Sequence, residues 1–226
     1  MKILVTGGTG FIGSNLVIRL LQDGHDVLIT GCDAEQKIPG FRGKILQPGL
    51  LGIDWEAIGK IDLLLHQAAI NDTTLLDERE MLRANVEASE ELFRRAVQGG
   101  CRRIVFASST AVYGNAPAPY KEDGTLAPLN PYARSKLLLE QCAMQITRQH
   151  PEVIVVGLRY CNVYGPRENH KGPRASMIFQ LAQQMAKGNP RMFRFGEQKR
   201  DYIHVEDLAE RDAFVGRRET LVELAQ

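Results

Sequence analysis

The stretch "KILVTGGTGFIG" (residues 2–13) places three glycines, Gly7, Gly10 and Gly13, directly behind a short apolar run. That run reads as a strand. The residues from Ser14 onward, with Leu16, Val17, Leu20 and Leu21 on one face and Gly24 as the stop, read as a helix. A strand, a glycine turn and a helix in this order aim the N–H groups of the helix N-terminus at the turn, where a pyrophosphate can sit. Phe11 and Ile12 belong to the same turn, so Gly7, Gly10, Phe11, Ile12 and Gly13 are the loop residues expected to hold a dinucleotide. A glycine turn without a ligand is the plain alternative, and the strand–turn–helix placement speaks against it.

The same alternation continues along the chain. "DVLIT" (26–30), "DLLLH" (62–66), "RRIVFAS" (102–108) and "VIVVGLR" (153–159) are nearly all apolar, as strands covered on both faces must be. Between them, residues 78–98 carry Leu82, Val86, Leu92, Phe93 and Ala96 on one helical stripe. Asn130 and Pro131 are an N-cap followed by proline at the first helical position, and they open a helix that runs to about His150. The pattern predicts an α/β fold with a Rossmann-type doubly wound parallel sheet. We expect a dinucleotide-binding Rossmann domain over 1–164 and a partial substrate-binding region over 165–226.

Composition narrows the function. With 28 Lys and Arg against 27 Asp and Glu, the formal net charge is +1, so a nucleic-acid partner is not expected. "MKILVTGG" is neither a signal-peptide core nor a membrane span, and a cytoplasmic location is expected with no membrane partner. Cys32, Cys101, Cys142 and Cys161 lie far apart without metal-ligand spacing, which predicts reduced thiols and no metal site.

The end of the second strand, "ITGCDAEQK", offers Asp33 as a carboxylate for the adenosine ribose, although a plain turn residue fits that position equally well. Gly31 has no side chain, which leaves room for a 2′-phosphate that Lys37 or Arg42 would meet, so NADP and NAD both stay open. Tyr132 and Lys136 stand four apart on one helical face. A buried lysine beside a tyrosine lowers the phenol pKa toward the working range. Such a phenol can take the proton of a substrate hydroxyl while the carbon gives hydride to nicotinamide. Taken alone, the pair would more simply be two solvated residues on a surface helix. Upstream, "ASSTAVYG" (107–114) ends a strand with hydroxyls, and Thr110 and Ser109 are the candidates to bind the same substrate oxygen.

In order along the chain, "TGGTGFIG", "DLLLHQAA", "ANVEAS", "SSTAVYG", "PYARSK", "RYCNVYGPR" and "RDYIHVEDLA" resemble the extended short-chain dehydrogenase/reductase family, also described as NAD-dependent epimerases and dehydratases. The resemblance runs from Lys2 to about Ala209. It implies Thr110, Tyr132 and Lys136 as a catalytic triad, Ala68 beside the cofactor, Asn162 near the substrate and Asn85 as structural support. The block "RYCNVYGPRENHKGPRAS" is most similar to the ADP-glycero-manno-heptose 6-epimerases. That similarity implies Lys171 as a second acid/base opposite the tyrosine, because an epimerase must serve the substrate oxygen in two orientations. An exposed loop lysine or a phosphate contact is the alternative, and His170 beside it reads as structural. Arg200 is expected on the nucleotide diphosphate, with a surface charge as the alternative.

The resemblance therefore implies an NAD(P)-dependent nucleotide-sugar epimerase acting by transient oxidation and re-reduction, with an ADP-heptose-like substrate and assembly as a homo-oligomer. Ala111 and Val112 follow Thr110 where a 4,6-dehydratase would want Asp-Glu, which argues against dehydration. The third strand, "GKILQPGLLGID" (43–54), lacks the early acid that many relatives use near adenine. The tail "ERDAFVGRRETLVELAQ" reads as one amphipathic helix that departs from the family continuation, so the substrate-binding region is expected to be incomplete through truncation. An inactive dinucleotide-binding fragment and a nucleotide-sugar reductase are the competing expectations.

Overall fold

The computed structural model describes residues 1–31, 38–39, 41–43, 45–46, 50–72, 77–188, 190–191 and 199–217. Strands β1 (Lys2–Thr6), β2 (Asp26–Thr30), β3 (Ile45–Leu46), β4 (Leu63–His66), β5 (Arg103–Ser109) and β6 (Ile154–Tyr160) form one sheet in the order β3-β2-β1-β4-β5-β6. Every pairing in it is parallel. This is the expected doubly wound Rossmann-type arrangement. After β3 the chain crosses back to lay β4 beside β1, with Ile3 against Leu63 and Thr6 against His66. The loops leaving β1 and β4 therefore diverge, and a crevice opens between them at the carboxyl ends of the strands.

The period-two alternation of side chains divides the apolar runs between two layers. Leu4, Leu64, Ile104 and Phe106 face α4 (Ala88–Gln98) and α5 (Pro131–Gln149), through Leu92, Phe93, Leu139 and Ile146. Ile3, Val5, Leu63, Leu65 and Val105 face α1 (Phe11–Gln22) through Leu16, Val17 and Leu20. The same layer holds Ala209, Ala213 and Val215 of the C-terminal helix Val205–Arg217. That helix packs on α1 and across β4 and β5.

Helix α1 begins at Phe11, three residues before the expected start at Ser14, because Gly10 is its extended N-cap. Its end agrees with the sequence: Gly24 follows the Asp23 cap with φ 78°, a conformation that favours glycine. A short helix α2 (Trp55–Ile58) precedes β4 and is capped by the Asp54 carboxylate. The stripe over 78–98 is not one continuous α-helix. Helix α3 (Glu78–Leu82) passes into a π-helical turn, Arg83–Glu87, before α4 begins. Beyond β6, β7 (Asn162–Tyr164) and β8 (Tyr202–His204) form a separate parallel pair, and α6 (Met177–Lys187) lies between them in sequence. The C-terminal helix is α7.

Candidate active site

The glycine turn packs against the start of the β4 exit loop. A Cβ at Gly7 would lie 2.8 Å from the Ala68 nitrogen, and one at Gly13 would lie 2.1 Å from the Gly7 carbonyl oxygen. Gly7 also has φ 66°, so this turn closes only with glycines. No side chain caps the N-terminus of α1, although Asn130, Asp54, Asp77 and Ser176 cap other helices. The donors of the first turn of α1 thus face the crevice, with Phe11 buried and Ile12 half-buried beside them. The region fits a dinucleotide pyrophosphate.

Gly31 has a different reason to be glycine. A Cβ there would come within 2.2 Å of Thr9 Oγ1, so the Thr9 side chain occupies the place a side chain at Gly31 would take. Arg42 is exposed, while Asp33 and Lys37 lie outside the described residues.

Tyr132 and Lys136 occupy the first two turns of α5, whose start is set by the Asn130 side chain accepting from the Ala133 N–H at 2.8 Å. Lys136 is buried and donates to the Ala107 carbonyl of β5 at 2.7 Å. Its Nζ lies 5.8 Å from the centre of the Tyr132 ring. Burial lowers the Lys136 amine to about 8, and the nearby Glu140 carboxylate opposes that fall. Burial also pushes the Tyr132 phenol above its ordinary range, and the Ser109 hydroxyl pulls it part of the way back. The sequence-based expectation of a depressed phenol pKa thus does not hold in the free chain: burial raises the phenol more than the Ser109 hydroxyl lowers it, while the Lys136 ammonium donates to the Ala107 carbonyl.

Of the two hydroxyl candidates, Ser109 is the one beside the phenol. It ends β5 and also accepts from the Ala111 N–H at 3.1 Å. Thr110 donates to the Tyr160 carbonyl at 3.1 Å.

Behind α5, Asn85 sits in the π-helical turn and uses its whole amide. It accepts from the Ile70 N–H at 2.8 Å, and donates to the Ile70 carbonyl at 2.8 Å and to Ser135 Oγ at 3.1 Å. The π-turn thereby ties the β4 exit loop to the residue next to Lys136, a use of such turns near functional positions. His66 is locked between Thr6 at 2.7 Å and Ser89 at 2.9 Å, and burial drives its pKa down to about 3, so it is a neutral structural residue.

Lys171 lies in a short 3₁₀ segment, Asn169–Arg174, with its Nζ 5.1 Å from the centre of the Phe11 ring. Burial lowers its amine, and Glu168 opposes that effect. The residues just before this segment are held onto the first turns of α1. Asn15 donates to the Pro166 carbonyl at 3.1 Å, and Arg167 donates to Ser14 Oγ at 2.8 Å. Glu168 is fully buried and accepts from the Gly165 N–H at 3.0 Å and from Ser176 Oγ at 2.9 Å. This carboxylate folds the loop, and its place in "PRENHKG" gave no sequence signal for that role. Asn162 donates to the Asp201 carbonyl at 3.1 Å, and Arg200 is exposed just ahead of β8. Those two side chains stand at the β7–β8 pair, apart from the Tyr132–Ser109 pair in sequence.

Two further clusters escaped the sequence reading because their members are far apart along the chain. Tyr160 donates to Asp212 at 2.6 Å, and Gln67 donates to the same carboxylate at 2.9 Å. Arg159 and Glu140 form a bidentate pair.

The chain is similar to known proteins over almost its whole length. The model of the NAD dependent epimerase/dehydratase family matches residues 3–219. Among solved structures, UDP-N-acetylglucosamine 4-epimerase from Methanobrevibacter ruminantium, in complex with UDP-N-acetylmuramic acid, shares 30% identity at a TM-score of 0.86 over 97% of this chain and 74% of that one. The ADP-L-glycero-D-manno-heptose-6-epimerase of Helicobacter pylori shares 32% at a TM-score of 0.86, over 96% of this chain and 74% of that one. UDP-glucose 4-epimerase of Thermus thermophilus, in complex with NAD, shares 28% at a TM-score of 0.85, over 96% of this chain and 75% of that one. The family match extends past Ala209 through α7, which corrects the reading of the tail as foreign: its apolar face, Ala213 and Val215 included, closes one layer of the sheet. The motifs, the sheet order and this match together establish that the chain belongs to the NAD dependent epimerase/dehydratase family.

Proposed function

We propose that this protein is a nucleotide-sugar epimerase that oxidises one sugar carbinol and returns the hydride to the other face of the carbonyl. The observation that carries this reading is the half-buried Tyr132 phenol beside Ser109, one helical turn from the buried Lys136. Gly7, Gly10, Phe11, Ile12, Gly13 and Ala68 would hold NAD, with Tyr132 and Lys136 at its nicotinamide end. The bound dinucleotide supplies a reversible hydride acceptor. Tyr132 takes the proton of the substrate hydroxyl, and Ser109 binds the same oxygen. Thr110 acts behind them by holding the end of β6. Lys171 serves the oxygen in its second orientation, while Asn162 and Arg200 contact the nucleotide sugar.

ADP-heptose epimerised at C6 is the substrate this reading favours, on the strength of "NVYGPRENHKG" and the similarity to the Helicobacter pylori enzyme. Denaturing the purified chain and identifying any released dinucleotide by mass spectrometry tests the cofactor. Single-turnover reduction of bound NAD, followed by nicotinamide absorbance, then compares ADP-heptose with UDP-sugars. Reduction by ADP-heptose is the expected result. Reduction by a UDP-sugar alone would keep the epimerase and reassign its substrate, and NAD release without reduction by any nucleotide sugar would overturn the reading.

A further inference from the structure

Behind Lys136 lies an enclosed ion pair that hydride transfer does not itself require. Arg159 of β6 grips Glu140 of α5 with two bonds, Nε to Oε1 at 3.0 Å and Nη2 to Oε2 at 2.8 Å. The two side chains are only 18% and 14% exposed. The remaining arm of the guanidinium donates to the Tyr113 hydroxyl at 2.8 Å and to the Glu122 carbonyl at 3.1 Å. The Ser108 hydroxyl donates to the same Glu140 carboxylate.

The geometry follows from the sheet register and the helical repeat. Ser108 and Arg159 are direct neighbours across β5 and β6, so both reach the same turn of α5. Glu140 stands four residues after Lys136, on the same face. Lys136 in turn is bonded to the carbonyl of Ala107, the residue before Ser108. Carboxylate and ammonium are therefore anchored to consecutive residues of one strand.

We propose that Glu140 and Arg159 are positioning residues for Lys136: the carboxylate holds the ammonium in its charged form, and the guanidinium sets how much of that negative charge the lysine feels. The consequence for hydride transfer rests on the proposed function, whereas the electrostatic statement does not. The surroundings are consistent with one dominant anion. From the same helix Lys136 faces Tyr132, and from β4 it faces the neutral His66. The π-helical turn presents Asn85 inward, with Arg83 and Glu87 exposed. Burial brings Lys136 down to about 8, and Glu140 works against that fall.

The test is an NMR titration of the full chain labelled with ¹³C-lysine, with the Lys136 signal assigned by its loss in Lys136→Arg. Glu140→Gln removes the anion and leaves the arginine cation, so the Lys136 midpoint should fall by about one pH unit or more. Arg159→Met leaves the carboxylate unneutralised, so the midpoint should rise. Simple loosening of the core would admit water and raise the midpoint in both variants, so a rise in Glu140→Gln, or no movement in either variant, overturns the proposal. If Glu140→Gln does not fold, Arg159→Met is compared with Glu140→Gln/Arg159→Met, where only the carboxylate charge differs. The double variant should titrate lower, and equal midpoints would overturn the proposal. None of these readings requires turnover, so failure of the proposed function would show separately, as a correctly tuned lysine in a chain that reduces no NAD.

Discussion

The Lys136 ammonium donates to the Ala107 carbonyl at 2.7 Å and stands 5.8 Å from the centre of the Tyr132 ring, so in the free chain the lysine is tied to the strand and not to the phenol. Burial then keeps the phenol protonated beyond its ordinary range. Replacing Tyr132 with Phe should slow hydride transfer about 10²–10⁴-fold while leaving dinucleotide affinity nearly unchanged. Single-turnover absorbance and a binding titration measure the two separately, and an equal loss in both would make Tyr132 a structural residue.

Ser109 and Thr110 are adjacent hydroxyls with different partners, so they should separate cleanly. Ser109→Ala is expected to slow hydride transfer with little effect on stability. Thr110→Val removes the bond to the Tyr160 carbonyl and should cost about 1 kcal/mol in urea unfolding, with a smaller effect on the chemical step. The reverse pattern would return Thr110 to the role that the family resemblance implies.

At Gly31 the cofactor question becomes a packing question. A methyl group there meets Thr9, which belongs to the glycine turn, so Gly31→Ala should weaken NAD and NADP binding in parallel. A selective loss of NADP in fluorescence titrations would show that the space at Gly31 serves a 2′-phosphate after all.

The parts that were legible in the sequence are the periodic ones. Five apolar runs, the glycine turn and the Asn130-Pro131 helix start are local signals, and each recurs within a residue or a few of its place in the structure. The π-turn was not legible, because Asn85 keeps the apolar stripe almost in phase and the extra residue is absorbed by its bonds to Ile70 and Ser135. Nor was the choice between Ser109 and Thr110, which depends on where β5 ends and the 3₁₀ turn Thr110–Tyr113 begins. The role of Asp212 was hidden for another reason: a carboxylate in a segment of Glu and Arg looks solvated until the helix is laid against Tyr160 and Gln67.

That carboxylate carries a pH signature. Burial raises Asp212 from 3.8 to about 7, so the folded chain binds its proton more tightly than the unfolded chain does. Its contribution to stability is then complete below about pH 4 and is lost as the pH rises through about 7. His66, lowered by burial to about 3, acts in the opposite sense, since its contribution is lost as the pH falls. The total pH dependence therefore mixes the two, and the difference between the chain and Asp212→Asn isolates one. The asparagine variant should gain more stability relative to the parent at pH 8 than at pH 5. Equal differences in urea midpoints at the two pH values would mean that Asp212 titrates normally.

Lys171 is the residue on which the proposed two-faced reaction can be tested. Its Nζ lies 5.1 Å from the Phe11 ring centre, on the turn that would hold the dinucleotide, and burial lowers its amine, which suits a group that must give up and regain a proton. Tyr132 belongs to α5 and Lys171 to the 165–176 loop, so the two proposed bases come from separate elements. If each serves one orientation of the same carbonyl, Lys171→Met should slow oxidation of one epimer about 10²–10⁴-fold and spare the other, while Tyr132→Phe does the reverse. Single-turnover reduction of bound NAD with each epimer separately reads this asymmetry. Equal slowing of both epimers by Lys171→Met, or a higher substrate requirement with an unchanged maximal rate, would make the lysine a binding residue. The "ENHKG" loop would then be a substrate contact, and the 6-epimerase reading would lose the residue that distinguishes it from other nucleotide-sugar epimerases.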